Sequence, residues 1–457
     1  MRSACLFLVP LLLPAAGPSD RQLARDCLRE LIEINTTDSA GDNTRAAEAA
    51  ARRLRAAGFA ASDVEVVVPA PKKGNLVARL RGTGGGRPVL MIAHLDVVEA
   101  RREDWSMDPF TLHEKDGYFY GRGTQDDKGE GALVLANFVR LKREGYVPAR
   151  DLILALTADE EGGRGPNGVT WLLADRRPLI AAGFSINVDA GGGQLRNGKR
   201  VFYSIQAAEK GYATFRLRAT NPGGHSSLPV PRNAIYQLAD ALARVRDARF
   251  PVSVNPVTRS FFDQVAATAS GQEAADLRAV ASAQPDPAAA ARLSALPYYN
   301  ALLHTTCVAT GISGGHAENA LPQSAEATVN CRLMPGDTVE HAGQVLRAAV
   351  AGTEVEVVPP ARENANPASP WPPPFASALE RVVRSLWPDV PVVGVMETGA
   401  TDGRLLRQAG IPCYGASSMF LDVDDIRAHG RDERIPVGAF YEGLDFNYAL
   451  LKAVGGE

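Results

Sequence analysis

The sequence has little cysteine and no marked excess of charge of either sign. Its 457 residues include 5 cysteines, and none of them forms a C-x-x-C pair, which excludes zinc ribbons and thioredoxin-like redox chemistry. Cys27 and Cys331 lie at apolar positions of a helical and a strand pattern, as small core side chains do. The sequence leaves open whether any of the cysteines form a disulfide. The formal net charge of −3 gives no reason to expect nucleic acid or an anionic membrane as a partner.

The sequence also lacks a clear membrane span. Its most apolar stretch, MRSACLFLVPLLLPAAG at residues 1–17, is too short to cross the hydrocarbon core of a bilayer. One early arginine, an apolar centre and small residues after it are typical of a secretory signal peptide. The pattern therefore predicts export to the periplasm or the exterior. Without a functional signal, the protein would be cytoplasmic.

Strands and helices alternate through the first part of the chain. Two continuous apolar runs, in Pro88–Val98 and Asp151–Gly163, are typical of strands buried on both faces, and Phe184–Gly193 contains a shorter one. Each run is followed by histidine or acidic residues. The pattern predicts an α/β fold with a mixed, mostly parallel sheet flanked by helices.

The pattern changes near residue 210, where apolar and polar residues begin to alternate. The order β-α-β-β-α-β that follows predicts an α+β ferredoxin-like domain, with a helical insertion at about residues 252–300. A proline-rich segment then leads back to the first domain. We therefore expect a first domain formed by residues 18–208 and 365–457, interrupted by an inserted domain at 209–364.

Polar side chains that can bind metal follow the predicted strands or lie in the adjoining loops. Two histidines and several acids without thiols suit divalent zinc, and five ligands are too many for one open catalytic ion. They suit two ions that share a bridging carboxylate. The residues in question are His94, Asp96, Asp126, Glu160, Glu161, Asp189 and His429.

These residues lie in motifs that resemble one enzyme family. The chain is similar to the dizinc metallohydrolases that include glutamate carboxypeptidase, aminoacylase, carnosinase and succinyl-diaminopimelate desuccinylase. Its long insertion and its ending resemble most the branch of Gly-X carboxypeptidase and secreted N-acyl-amino-acid hydrolases. The matching motifs are His94-Leu-Asp96, Gly121-Arg-Gly-Thr-Gln-Asp126-Asp-Lys-Gly129, Asp159-Glu160-Glu161-Gly162, Asp189, Gly223-Gly-His225-Ser-Ser227, Asn319-Ala-Leu-Pro322, Arg332 and His429, and the ending that resembles this branch is Arg427-Ala-His-Gly-Arg-Asp-Glu-Arg434. The resemblance implies a zinc-exopeptidase-like fold, with a catalytic domain and an inserted lid or dimerisation domain.

The resemblance implies a role for each metal ligand. Asp126 would bridge two Zn²⁺ ions per subunit, for which Co²⁺ or Mn²⁺ can substitute. His94 and Asp189 would complete one site, and Glu161 and His429 the other.

The remaining motif residues would act on the substrate or on the ligands. Asp96 would accept a hydrogen bond from the ring of His94 and so orient it. Glu160 would be the general base, which takes a proton from water and passes it to the leaving amine. The residues expected to bind the substrate are His225, Asn319, Arg332 and Thr401.

The predicted function is zinc-dependent hydrolysis of an amide bond next to a free carboxylate. The substrate would be a short peptide or an N-acyl amino acid, since the metal site does not distinguish the two. Four aromatic residues in or beside the insertion suggest an apolar acyl pocket: Phe261, Phe262, Tyr298 and Tyr299. The resemblance also implies a homodimer formed through the inserted domain.

Other interpretations remain open from the sequence. The chain could be a metabolic deacylase of the desuccinylase or acetylornithine deacetylase type, or a catalytically silent metal-binding protein. His225 could cap a turn, and Arg332, which faces away from the core, could form a plain surface salt bridge. Asp159 is expected to be a surface or strand-end acid, and the role of Asp127 is open.

Overall fold

The computed structural model describes residues 15–162, 165–361 and 366–456. Most of the predicted signal peptide, residues 1–14, lies outside the described residues. Among the described helices, none combines the length and the hydropathy that a membrane span requires.

The strands are short in the peripheral sheets and longer in the second half of the fold. In chain order they are β1 Val64–Val67, β2 Asn75–Leu80, β3 Val89–His94, β4 His113–Lys115, β5 Tyr118–Tyr120, β6 Leu152–Thr157, β7 Phe184–Asn187, β8 Gly192–Arg196, β9 Lys199–Glu209, β10 Gly211–Thr220, β11 Gly224–His225, β12 Thr306–Gly314, β13 Ala320–Leu321, β14 Ser324–Leu333, β15 Val355–Val358, β16 Val392–Glu397, β17 Cys413–Gly415, β18 Phe420–Asp422 and β19 Arg434–Pro436.

The helices range from one turn to five. In chain order they are α1 Pro18–Glu33, α2 Asn43–Ala56, α3 Lys128–Arg143, α4 Gly168–Asp175, α5 Arg177–Ile180, α6 Ala234–Asp247, α7 Pro256–Thr268, α8 Gly271–Ala281, α9 Pro287–Leu293, α10 Pro297–Leu303, α11 Val339–Ala349, α12 Ala376–Leu386, α13 Gly403–Gln408 and α14 Val437–Gly455.

The chain forms two compact units. The first contains the described residues up to Ala207, together with Pro372–Val393 and those from Thr401 onward. The second contains Ala208–Trp371 and Gly394–Ala400. In sequence, the second unit therefore interrupts the first.

The first unit is built on a mixed sheet with the order β1-β2-β6-β3-β7-β17-β9-β8-β18, and β16 also pairs with β9. Its central strands β6, β3, β7 and β17 are parallel, whereas β1, β2 and β9 join it by antiparallel pairing. This confirms the predicted mixed α/β sheet.

Helices cover both faces of the central strands, which explains their unbroken apolar sequences. Every residue of β3 and of β6 is buried. Leu90 and Ile92 of β3 pack in a cluster with residues of α4, α5 and α13, and α3 packs on the sheet as well. A strand covered on both faces has no position for an exposed side chain, so the first polar groups occur where the strand ends.

The second unit contains a four-stranded antiparallel sheet with the order β12-β14-β10-β15. The chain order β10-α6-β12-β14-α11-β15 with this strand order is the predicted ferredoxin-like arrangement. Buried and exposed residues alternate strictly along β10, since only one face of the sheet packs against the helices. The insertion between α6 and β12 is helical as predicted and contains α7 to α10.

A disulfide joins Cys307 of β12 to Cys331 of β14, where the two residues are direct partners in the antiparallel ladder. The sequence pattern predicts a core position for Cys331 and leaves a disulfide open, and its side chain does lie in the core cluster. Cys27 and Cys413 are buried and lie outside this disulfide. The partner of Cys331 is 24 residues away and is brought opposite by strand pairing alone.

Candidate metal centre

The carboxyl ends of three parallel strands bring most of the predicted ligands to one edge of the sheet. β3 ends at His94, which pairs with Thr157 at the end of β6. Glu160 and Glu161 follow β6, and Asp189 follows the end of β7. Open α/β sheets bind their ligands at this edge, because the loops after parallel strands meet there.

A small three-stranded sheet brings the last predicted ligand to the same place. β19 pairs with β5, with Arg434 opposite Tyr120. The loop that carries Asp126 begins directly after β5, and the loop that carries His429 ends directly before β19. Pairing of these two strands therefore places side chains that are about 300 residues apart in sequence next to each other.

The five predicted metal ligands converge in the first unit. Nε2 of His94 lies 2.8 Å from Oδ1 of Asp126 and 3.8 Å from Oδ1 of Asp189. Nε2 of His429 lies 2.8 Å from Oε1 of Glu161 and 3.1 Å from Oδ2 of Asp126. Asp126 thus has one oxygen towards each histidine, which is the arrangement that a bridging carboxylate requires.

Asp127 lies in this cluster as well. Its side chain is fully buried, Oδ2 accepts a hydrogen bond from the main-chain N–H of His94 at 3.2 Å, and Oδ1 has no hydrogen-bond partner among the described residues. Ligand atoms of His94, Asp127 and Asp189 lie within 4.8 Å of one another, as do those of His94, Asp126 and Glu161. The sequence left the role of Asp127 open, because it is adjacent to the stronger motif position.

The main-chain oxygen and the carboxylate of Asp96 bind different partners. The atom that accepts from Nδ1 of His94, at 3.0 Å, is the main-chain carbonyl oxygen of Asp96, whereas its carboxylate is 3.7 Å away. The carboxylate instead accepts from the main-chain N–H groups of Glu160 and Glu161 at 3.1 and 2.8 Å. The sequence predicts the contact of Asp96 with the ring of His94, but it does not predict that Asp96 supports the Glu160–Glu161 turn.

The acidic side chains are crowded and largely removed from water. Burial raises the pKa of Asp189 to about 7, although its hydrogen bond with His94 opposes the rise. Burial also raises the pKa of Glu160 to about 9, with contributions from neighbouring carboxylates including Asp189 and Glu161. Hydrogen bonds to Asp126 and Glu161 raise the pKa of His429 to about 10. The negative charge in this cluster therefore attracts positive charge strongly.

The residues present fit a pair of divalent cations. The donor set consists of imidazole nitrogens and carboxylate oxygens, which zinc and similar ions prefer. A buried carboxylate oxygen without a hydrogen-bond partner, Oδ1 of Asp127, is a position that a cation can satisfy. His94 and Asp189 would bind one ion, and Glu161 and His429 would bind the other. Asp126 would bind both ions.

The base of the first unit's site contains a second network of polar residues. Asp402 is buried and accepts hydrogen bonds from Nδ2 of Asn167 at 2.6 Å and from Oγ1 of Thr157 at 3.3 Å. Burial raises the pKa of Asp402 to about 6, and its hydrogen bond from Asn167 opposes the rise. The neighbouring predicted substrate residue, Thr401, accepts from Nδ2 of Asn187 through its hydroxyl at 3.1 Å.

Asp159 follows the end of β6, as the strand-end alternative predicted, and it is not a surface acid. It is 2% exposed and accepts from Nζ of Lys73, which also donates to Asp38. A cavity of about 250 Å³ is lined by these three residues and by Asp96 and Glu161 among others. Lys73 lies in a loop without any recognisable motif, so the sequence offered no signal for it.

The other predicted substrate residues lie in the second unit. His225 of β11 pairs with Ala320 of β13, and the main-chain oxygen of Asn319 accepts from Ser226 N–H at 3.0 Å. Nδ1 of His225 accepts from the main-chain N–H of Ser227 at 3.2 Å. Because Nδ1 is an acceptor, the neutral ring carries its proton on Nε2 and can donate from there.

Arg332 projects from β14 on the face opposite the core cluster, as its alternation with buried Cys331 and Leu333 predicts. Its guanidinium lies 5.8 Å from the ring centre of Tyr212 on the neighbouring strand. A cavity of about 680 Å³ lies elsewhere in the second unit, between α6, α9 and α10, and the described residues that line it include none of the predicted site residues.

The aromatic residues proposed for an acyl pocket serve largely in packing. Phe262 is fully buried and Phe261 is 5% exposed, and their rings contact those of Tyr299 and Tyr298. These contacts join α7 to α10 within the helical insertion. Tyr298 is 55% exposed.

Comparison with known families agrees with this geometry. Residues 90–453 match the model of peptidase family M20/M25/M40. The chain belongs to this family. The matched region begins within β3 and ends within the last helix, so it contains every predicted metal ligand, the whole second unit and the part of the first unit that follows residue 89.

Two relatives illustrate the position of the chain within the M20 family. The human N-fatty-acyl-amino acid synthase/hydrolase PM20D1 is 29% identical over 388 residues, which cover 80% of this chain and 74% of the relative. A carboxypeptidase S-like protein of Dictyostelium discoideum is 30% identical over 383 residues, which cover 80% of this chain and 71% of that protein.

Solved structures of M20 proteins share the fold. The M20 family metallo-carboxypeptidase Sso-CP2 from Sulfolobus solfataricus aligns with a TM-score of 0.69 at 16% identity, covering 94% of this chain and 99% of that one. The YXEP protein of Bacillus subtilis, described as a dinuclear metal binding peptidase, aligns with a TM-score of 0.59 at 12% identity, covering 96% and 99%.

Proposed function

We propose that this M20 protein hydrolyses an amide bond next to a free carboxylate in a short peptide or an N-acyl amino acid. The observation that carries the proposal is the convergence of His94, Asp126, Glu161, Asp189 and His429 beside Glu160. The relatives named as an acyl-amino-acid hydrolase and a carboxypeptidase support amide hydrolysis. Neither name decides between peptide and acyl substrates.

The residues divide the work between binding cations and moving a proton. Two bound Zn²⁺ ions, the metal that we propose, would lower the pKa of a water molecule and polarise the scissile carbonyl. Glu160 would accept the proton from that water and deliver it to the amine nitrogen that leaves. The Asp96 carboxylate holds the main chain of Glu160 and so orients this base.

Substrate recognition is assigned to Thr401 and to residues of the second unit. Arg332 carries a planar fork of donors, which suits the carboxylate of the substrate, and Asn319 is proposed to bind it as well. His225 would donate from Nε2 to the oxyanion that forms as the carbonyl is attacked, in keeping with its tautomer. The second unit would thus act as a lid that supplies recognition, while the first unit supplies the base.

The general-base assignment is tested by the substitution Glu160→Gln. We expect the variant to bind metal as the wild type does but to lose about 10²- to 10⁴-fold in kcat, because the amide cannot accept the proton. Hydrolysis of dipeptides and of acetyl- and medium-chain acyl amino acids would be measured with bound metal counted in parallel. Glu103→Gln, an exposed position, is the matched control.

The same substrate screen defines the acyl half. Faster hydrolysis of medium-chain than of acetylated substrates would support an apolar acyl site, whereas equal rates would remove that support. Wild-type turnover in Glu160→Gln would contradict the mechanism. Absence of hydrolysis of every carboxylate-bearing amide by the metal-loaded wild type would contradict the function.

We further propose that the protein is exported and dimeric. Cys307 and Cys331 form a disulfide, which is typical of oxidising compartments. The disulfide therefore favours an exported enzyme over a metabolic deacylase that works in the cytoplasm.

The proposed dimer would form at an edge of the sheet in the second unit. β12 is an edge strand on which Val308 and Ile312 are 61% and 69% exposed, so a second copy could add to this edge. Ile312→Lys should then convert the dimer to a monomer in sedimentation experiments.

A further inference from the structure

We propose that Gln125 and Glu433 are positioning residues that fasten the loop of His429 to the loop of Asp126. The inference rests on the proposed function, because Asp126 and His429 are two of the ligands assigned there to the metals. Neither Gln125 nor Glu433 is a candidate ligand.

The side-chain amide of Gln125 binds both limbs of the loop that carries His429. Its Oε1 accepts from the main-chain N–H groups of Arg427 and Ala428, both at 2.8 Å. Its Nε2 donates to the main-chain oxygens of Asp425 at 3.3 Å and Arg434 at 2.9 Å. A primary amide has two N–H donors and two acceptor lone pairs, so this side chain is fully used in a single loop.

The carboxylate of Glu433 makes the reciprocal connection. It is fully buried, and Oε1 accepts from the main-chain N–H groups of Gln125 at 2.7 Å and Asp126 at 3.1 Å. Oε2 accepts from Gly123 N–H at 3.1 Å and from the guanidinium of Arg122 at 2.6 Å. Each loop therefore sends one side chain into the backbone of the other.

His429 needs such support because its own environment constrains it little. Its backbone has a φ of 63°, in the left-handed region that residues with a side chain adopt infrequently. Its side chain is 54% exposed, so packing does little to hold it. The adjacent N–H groups of Arg427 and Ala428 are bound by Gln125, and the carbonyl of His429 accepts from Arg122 at 3.3 Å.

Gln125 acts on one side of the centre, whereas Glu433 also holds the main-chain N–H of Asp126, which is shared by both sites. His94 is the last residue of β3 and Asp189 follows β7, so the sheet itself positions them. His429 depends on the two loops. Loss of the clamp should therefore weaken the site formed by Asp126, Glu161 and His429 more than the site formed by Asp126, His94 and Asp189.

The test is metal binding by full-length Gln125→Glu and Glu433→Gln. In Gln125→Glu, a carboxylate oxygen replaces Nε2 and faces the two loop carbonyls, which repel it. Metal-free protein would be titrated with Zn²⁺ or Co²⁺ and the bound ions counted by equilibrium dialysis. We expect two ions in the wild type. In Gln125→Glu the second ion should bind about 10- to 100-fold more weakly with the first ion unaffected, and in Glu433→Gln the second ion should be weakened more than the first.

Hydrogen exchange of the metal-free protein gives a readout that does not depend on metal. The amides of Arg427 and Ala428 should exchange faster in Gln125→Glu than in the wild type. Gln22→Glu, an exposed amide on α1, is the control for the charge change. Leu28→Ala, in the core, is the control for lowered stability. Gln125→Asn, one methylene shorter, serves if Gln125→Glu does not fold.

The outcomes separate this inference from the proposed function. Two ions bound with wild-type affinity by the variants, together with unchanged exchange at Arg427 and Ala428, would overturn the clamp. If the affinity for both ions fell equally, as expected for Leu28→Ala, Gln125 and Glu433 would have a purely structural role. That result would overturn the clamp too. A wild type that binds fewer than two ions would contradict the proposed function, and exchange in the metal-free protein would then decide the clamp alone.

Discussion

At the scale of single residues, one residue can act through both its main chain and its side chain. Asp96 binds the ring of His94 through its main-chain oxygen and the Glu160–Glu161 turn through its carboxylate. A motif identifies the residue but not the direction in which each atom acts. Substitutions at such positions should therefore be chosen according to which atoms, and so which contacts, they remove.

Arg332 offers a prediction at this scale. Arg332→Lys should reduce kcat/KM about 10- to 100-fold, mainly through KM, because an ammonium group cannot bind a carboxylate with two parallel hydrogen bonds. The measurement compares substrates with a free carboxylate and their methyl esters. Arg218→Lys, whose arginine pairs with Glu326, is the control. Equal losses for acids and esters would show that Arg332 does not read the carboxylate.

At the scale of elements, strand pairing decides which residues meet. The disulfide closes β12 onto β14 at the edge of the second unit. Its removal by Cys307→Ala/Cys331→Ala should lower the free energy of unfolding by about 2–4 kcal/mol, since the cross-link restricts the unfolded chain. Urea denaturation with and without reductant measures this. The double variant should not respond to reductant; a wild type equally indifferent to it would contradict the prediction.

Helix α3 supplies a second element-scale prediction. Its buried Glu130 accepts from the hydroxyl groups of Ser417 and Ser418, both at 2.6 Å. Burial raises its pKa from 4.5 to about 6, although these hydrogen bonds oppose the rise. Because the pKa is higher in the folded protein, protonation of Glu130 adds to the free energy of unfolding. This contribution is complete below pH 4.5 and is lost as the pH rises through about 6.

The measurement is the free energy of unfolding of metal-free protein across that pH range. The stability advantage of the wild type over Glu130→Gln should be greatest near the lower limit and should shrink as the pH passes about 6. Parallel curves for the two proteins would show that Glu130 does not titrate differently in the folded state.

At the scale of the whole molecule, folding and metal binding should be coupled. Removal of metal by a chelator should abolish hydrolysis and lower Tm, because ions that bind only the folded state stabilise it by about 3 kcal/mol at a hundredfold excess over Kd. Zn²⁺ should restore both properties. In Asp189→Asn/His429→Ala, the chelator should change Tm much less. Unaltered Tm and activity after metal removal from the wild type would refute a metal-dependent enzyme.

The sequence by itself determined the fold class and the types of residue at the centre. Short apolar runs that end in histidine or acid indicate strands covered on both faces, with their chemistry beyond the carboxyl ends. The alternating pattern of β10 and β14 likewise determined a sheet with one packed face. These features depend on local periodicity, which a single chain displays directly.

The tertiary structure decided what depends on contacts between distant segments. Only strand pairing brings Cys307 opposite Cys331 and the loop of His429 beside that of Asp126. Gln125 and Glu433 lie in or beside motif stretches, but the sequence assigns them no role, because their partners are main-chain groups about 300 residues away. Main-chain hydrogen bonding is independent of the partner's side chain, so no residue type in the sequence announces it.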